Sequence, residues 1–372
     1  MARFQPCAMA ECPPVTRRRP IALLAAMVAA AAVGAPSAIA AGEGQDPTST
    51  TTPTVPEPQP GTTATTPTLI AKPAQRTQSA KPRSAKLTLR VAGIRDGKLG
   101  AGKKVHAAGY LHPFVRGQHV RVKLARNGHV VKKMNPYVKR VAHRNVGRFK
   151  FRSGELIKPG HYRVSALHLG NDQQARDWAR SGKFKIRYPD LDPGVRNSTV
   201  KTFNHLLLAQ GYYSTHGKRY GSKTGFAVMA FRKVNGMKRT FNASPGIFKK
   251  LADGRGDFDL KYPGAGKHVE VDISKQVMVF ANHGKPQYTF HVATGAPATP
   301  TIRGHYHFYT RQPGYNSEGM YYSVYWHGGY AIHGYHSVPP YPASHGCVRN
   351  PIPESIFIYD WVKIGMSIYV YG

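Results

Sequence analysis

The chain has 372 residues, room for two or three domains of ordinary size, and carries 53 Lys and Arg against 18 Asp and Glu, a formal charge of +35. That excess requires an anionic partner and leaves open whether the partner is nucleic acid or a surface outside the cell. Three cysteines, Cys7, Cys12 and Cys347, are too few for a disulfide-stapled scaffold.

Residues 1–41 read as a signal peptide. Arg17, Arg18 and Arg19 precede an apolar run from Ile21 to Gly34, and Ala38-Ile39-Ala40 supplies a small-x-small cleavage pattern. The run is short for a membrane span, so contact with the membrane is limited to the transient signal. Cleavage would remove four arginines and one glutamate, leaving +32 on a secreted, extracytoplasmic chain. In that compartment the anionic partner is a wall polymer, and nucleic acid is not expected. It would also remove Cys7 and Cys12, leaving Cys347 as a lone thiol in an oxidising compartment.

Residues 42–86 are rich in Thr, Pro, Ala, Gln and Ser, a composition that cannot bury a core, and are expected to form a disordered tether. Residues 87–188 alternate apolar and polar in short runs such as Val120–Leu124 and Tyr162–Val164. Turn signals at Asp96-Gly97, Asn127-Gly128 and Ser181-Gly182 separate the runs. This predicts an immunoglobulin-like β-sandwich, a spacer or binding domain with Lys and Arg outward.

Residues 194–253 change period. Val200–Gln210 and Phe226–Val234 have helical apolar spacing, each followed by glycine, and Ile247–Leu251 forms a third short run. Residues 267–372 return to strands, one of them over His305–Thr310, with one helix expected at Pro353–Lys363. The fold class is therefore multidomain and mainly β: a sandwich, a small three-helix domain and a mostly-β C-terminal domain with one helix.

The chemistry concentrates in Ile332-His333-Gly334 and Ser344-His345-Gly346-Cys347-Val348-Arg349. Cysteine attack on a carbonyl needs a thiolate, which a neighbouring imidazole or cation favours, a base to make it, oxyanion donors and a substrate clamp. His333, His345 and Arg349 all stand within 14 residues of Cys347, and Gly346 permits a tight turn that could aim backbone N–H groups at an oxyanion. His336 is a rival base to His333. No ligand-spaced Cys/His cluster suggests a metal, and no cofactor is expected.

These residues resemble the YkuD-type L,D-transpeptidase catalytic domain, whose hallmark is an upstream His followed by Ser/Thr-His-Gly-Cys, an apolar residue and Arg or Asn. Ala293-Thr294-Gly295 and Thr299-Pro300 add to the likeness. Residues 194–253 resemble a peptidoglycan-binding domain through Leu206-Leu207, Gly211-Tyr212, Tyr220-Gly221 and Val234-Asn235-Gly236, with Arg232 and His216-Gly217-Lys218 departing from its usual pattern. The first resemblance implies that Cys347 is the nucleophile and His333 its base. It further implies that Ser344, His345 and Gly346 shape the loop and oxyanion pocket, and that Arg349 holds the loop or a substrate carboxylate. The substrates would be peptidoglycan stem peptides, joined in 3→3 cross-links through a cysteine thioester. Carboxypeptidase-like hydrolysis and a non-enzymatic wall-binding protein are the alternatives.

Overall fold

The computed structural model describes residues 81–372; the expected signal segment and the tether up to residue 80 lie outside the described residues. The rest of the tether is not free. Arg83 bridges Gln174 and Lys86 opens the first strand, so the sandwich begins before residue 87.

Eleven strands follow: β1 (Lys86–Leu87), β2 (Arg90–Ala92), β3 (Lys98–Gly100), β4 (Lys103–His112), β5 (Arg121–Arg126), β6 (His129–Met134), β7 (Lys139–Arg140), β8 (Gly147–Leu156), β9 (His161–His168), β10 (Asp177–Arg180) and β11 (Phe184–Arg187). They form two sheets. One runs β1-β4-β8-β7 with β2 also on β4; the other runs β3-β11-β9-β5-β6 with β10 also on β9. Alternation decides which side is dry. In β8, Phe149 and Phe151 are buried while Arg148, Lys150 and Arg152 are exposed. Phe149 and Phe151 from one sheet and Val122, Leu124, Val164 and Phe184 from the other belong to one core.

Three helices come next: α1 (Ser198–Ala209), α2 (Ser222–Val234) and α3 (Pro245–Ala252). Asn197 caps α1 by accepting from Val200 N at 2.9 Å. Gly211, at φ +73°, ends it with a left-handed step. The helices share the sandwich's core: Tyr188 and Phe248 approach to 5.3 Å between ring centres, and Leu191 pairs with Ala243.

The C-terminal domain has two sheets and one helix. Its elements are β12 (His268–Asp272), β13 (Val277–Asn282), β14 (Lys285–His291), β15 (Gly304–His307), β16 (Thr310–Tyr315), β17 (Tyr321–His327), β18 (Tyr330–Tyr335), β19 (Val348–Pro351), α4 (Ile352–Trp361) and β20 (Ser367–Tyr371). The sheets run β14-β13-β12-β20-β15 and β16-β17-β18-β19. Val271, Phe280 and Val370 from the first, Val324, Ile332 and Val348 from the second, and Ile358 of α4 pack into one core.

Two features depart from the sequence expectation. In place of a single strand over His305–Thr310, the chain leaves the first sheet after His307 and enters the second at Thr310. The strand β19, which carries Val348 and Arg349, has no signal in the sequence, because Asn350 and Pro351 are poor strand formers.

The helical segment is fastened to the C-terminal domain as well. Thr289 N donates to Gly211 O at 2.6 Å, and the Tyr213 ring stacks on Phe357 at 4.5 Å. Lys233, near the end of α2, buries its ammonium against the first sheet. Nζ lies 2.8 Å from Gln276 O, 2.8 Å from Val292 O and 2.7 Å from His291 Nδ1.

Candidate active site

The two halves of the motif become neighbouring strands. β18 and β19 pair in parallel, with Ile332 opposite Val348 and His333 opposite Arg349. The 12 residues between Tyr335 and Val348 are the crossover that a parallel pair demands. Ile332 and Val348 point into the core, so the alternate positions His333 and Arg349 share the other face. Cys347 sits at the bend immediately before β19, two residues from Arg349.

The thiol is half-buried and donates to Gly329 O at 3.5 Å. Burial raises it above the usual cysteine range; a backbone hydrogen bond from Ala331 and the charge of Arg349 pull the other way with less effect. His333 is buried, and burial lowers it to about 4 despite its bond to Gly334 O. Both groups are therefore uncharged near neutrality: a thiol beside a neutral imidazole, not the ionised sulfur the sequence suggests.

The imidazole is oriented by the main chain. Nδ1 lies 3.0 Å from Gly334 O, which makes it the donor and leaves Nε2 with its lone pair. No hydrogen bond links Nε2 to Cys347 among the described residues. Contacts of this kind are often loose until substrate arrives.

The turn before the cysteine is braced from three sides. Ser344 Oγ donates to Cys347 O at 2.5 Å and accepts from Gly346 N at 3.2 Å. Thr301 Oγ1 donates to Gly346 O at 2.7 Å, and Thr299 Oγ1 donates to Ser344 O at 3.0 Å. Gly295 supplies the close approach: a Cβ there would fall 2.2 Å from Thr299 O. Ala293-Thr294-Gly295 and Thr299-Pro300-Thr301, minor matches at the level of sequence, are thus a cradle for the turn.

Gly346 adopts φ +115°, a conformation that side chains rarely take, and Tyr330 packs over its open side. Its N–H already donates to Ser344 Oγ. The N–H groups of His345 and Cys347 make no hydrogen bond among the described residues.

The remaining predicted residues separate clearly. Arg349 places its guanidinium 4.1 Å over the Tyr335 ring and donates to Ala343 O at 3.1 Å, so it ties down the loop. His345 is exposed and makes no hydrogen bond among the described residues; His336 is also exposed, on the loop after β18.

Sequence reasoning missed the support behind this loop. His291 Nε2 lies 3.0 Å from Val338 O, so Lys233, His291 and Val338 form one chain of bonds from α2 to the segment between His333 and Cys347. Arg239, just beyond α2, donates to Pro340 O in the same segment.

Residues 266–370 match the family described as the L,D-transpeptidase catalytic domain, YkuD. No curated protein matches the chain. Among solved structures, the chain is similar to an L,D-transpeptidase (residues 123–326) from Xylanimonas cellulosilytica DSM 15894, at 29% identity over 50% of this chain and 98% of that one, with a TM-score of 0.46. It is similar to an L,D-transpeptidase from Stackebrandtia nassauensis at 21% identity, over 50% of this chain and 97% of that one, TM-score 0.32. An L,D-transpeptidase from Mycobacterium smegmatis matches at 12% identity over 77% and 99% of the two chains, TM-score 0.26. The family match spans the C-terminal domain, with both halves of the His–Cys motif and the cradle beneath it.

Proposed function

We propose that the chain is an exported peptidoglycan transpeptidase that joins stem peptides through a thioester on Cys347. The observation that supports the reading is the parallel pairing that sets His333 opposite Arg349, with the half-buried thiol of Cys347 at the bend just before that strand and His333 Nδ1 held by Gly334 O.

In the first half-reaction Cys347 Sγ attacks the donor stem carbonyl at its L-to-D bond while His333 Nε2 takes the thiol proton. The carbonyl oxygen gains charge and turns to the N–H groups of His345 and Cys347. The C–N bond breaks, the leaving D-residue amine takes its proton from His333, and a thioester remains. In the second half-reaction the side-chain amine of a neighbouring stem attacks the thioester and gives its proton to His333. Sγ then leaves and is reprotonated, and a 3→3 cross-link results. The resting pair is neutral, so the proton moves with the attack and not before it.

The test is incubation of the full chain with tetrapeptide muropeptides, followed by mass spectrometry. Cross-linked dimers, absent with Cys347→Ala, support the proposal. Trimmed monomers alone would assign hydrolysis instead. Unchanged products with Cys347→Ala would remove the thiol from the chemistry.

A further inference from the structure

The sandwich is more basic than any core requires. Residues 81–190 hold 27 Lys and Arg against five Asp and Glu, and every ion pair among the described residues lies between residues 253 and 275. The charge is not spread evenly. The outward face of the β1-β4-β8-β7 sheet carries Arg148, Lys150 and Arg152 at alternate positions of β8, all exposed. Lys139 stands directly opposite Arg148 in the register, and Arg90 and Ala108 continue the row of Lys150. Like charges in direct register destabilise a sheet. None of these five cations donates a side-chain hydrogen bond among the described residues. The single carboxylate on the face, Glu155, lies at its far end opposite Lys104 and makes no ion pair.

We propose that this face is a binding site for a linear phosphodiester polymer, with Arg148, Lys150 and Arg152 engaging successive phosphates. Alternate residues of a strand are about 6.8 Å apart, so the three form a straight row that suits one extended chain. A hollow of about 600 Å³ between Tyr137, Lys139, Arg148 and Lys150 gives one repeat a place to settle beside the row. A membrane surface would engage charges spread in two dimensions and has no need of a row. The face is independent of the catalytic reading, since no residue in it belongs to the C-terminal domain.

The experiment compares the exported chain with two triple variants of equal charge. One is Arg148→Gln, Lys150→Gln and Arg152→Gln; the control is Lys183→Gln, Lys185→Gln and Arg187→Gln on the other sheet. Binding of poly(glycerol phosphate) is followed across a salt series. The first triple should weaken binding about tenfold or more and reduce the slope of log K against log salt by about 2; the control should change affinity less than about threefold. Equal loss in both triples would reduce the effect to net charge and overturn the site. Tighter binding to vesicles containing an anionic phospholipid, or to single-stranded DNA at equal phosphate, would also overturn it. Thermal unfolding without ligand gives a second measure. At low salt the first triple should melt higher than the wild type, because it relieves repulsion; a lower melting temperature at low salt would refute the self-repelling face.

Discussion

Lys233 and His291 offer a contrast between two ways of breaking one buried group. The pair makes four hydrogen bonds: Lys233 Nζ to Gln276 O, to Val292 O and to His291 Nδ1, and His291 Nε2 to Val338 O. Four bonds need four protons, so the closed arrangement holds one net positive charge. Burial opposes that charge, drawing Lys233 down to about 6 and His291 well below its usual value. Hydrogen bonds to the protein work the other way. For Lys233 alone, keeping the charge against a shift of that size means a cost of about 6 kcal/mol. Lys233→Met removes the charge with its cost and orphans three acceptors at about 1–3 kcal/mol each. The two effects nearly cancel, and stability should change by less than about 3 kcal/mol. His291→Leu leaves the ammonium buried with one acceptor fewer, and should cost about 3–5 kcal/mol. Urea unfolding of the full chain at pH 7 measures both. If Lys233→Met proves the more damaging, burying the ammonium costs less than its three hydrogen bonds return, and the near-cancellation is refuted. Both variants also loosen Val338, so both should slow acylation by a carbapenem while leaving Cys347 accessible to a small thiol reagent.

Acylation should keep its rate down to the acid side and fall only as His333 is protonated near pH 4; a midpoint at 6–7 in the pH–rate profile would contradict the buried neutral base. The same depression sets a stability window. The unfolded imidazole binds a proton below about 6.5 and the folded one only below about 4, so stability is complete above pH 6.5 and falls toward pH 4, by at most about 3 kcal/mol from this residue; thermal melts of wild type and His333→Asn across that range should converge at the acid end. Gly346→Ala forces a Cβ to 2.8 Å from Tyr330 Cε1 at φ +115°, so acylation should drop by roughly a hundredfold, about 3 kcal/mol of misplacement, with the far-ultraviolet spectrum unchanged. Ser344→Ala removes the hydroxyl that joins Cys347 O to Gly346 N, and should cost about tenfold in acylation rate with little effect on melting temperature.

The candidate site of this chain was legible in its sequence because it resides in a short string. Thiol, imidazole and tight glycine turn stand close together, and period two is enough to set His333 and Arg349 on one face once their strands are neighbours. What could not be read is which polar residues the fold would bury. Lys233 follows Arg232 near the end of a helix, where lysine is ordinarily a solvated residue favouring the helix dipole. Nothing local marks it as a ligand of three acceptors on a sheet 43 to 59 positions away. Thr299 and Thr301 read as loop residues for the same reason, though their hydroxyls fix the turn that presents the sulfur. The ionisation state was lost in the same way: proximity of histidine and cysteine suggests a thiolate, and only burial, a tertiary property, reverses the balance in favour of a neutral pair. A neutral pair in turn changes what the support must achieve. An ion pair would hold its own geometry by attraction; a thiol and an imidazole without charge have no such pull. Their relative position must then come from the strands that carry them and from the loop between them, which α2 holds through Lys233 and Arg239.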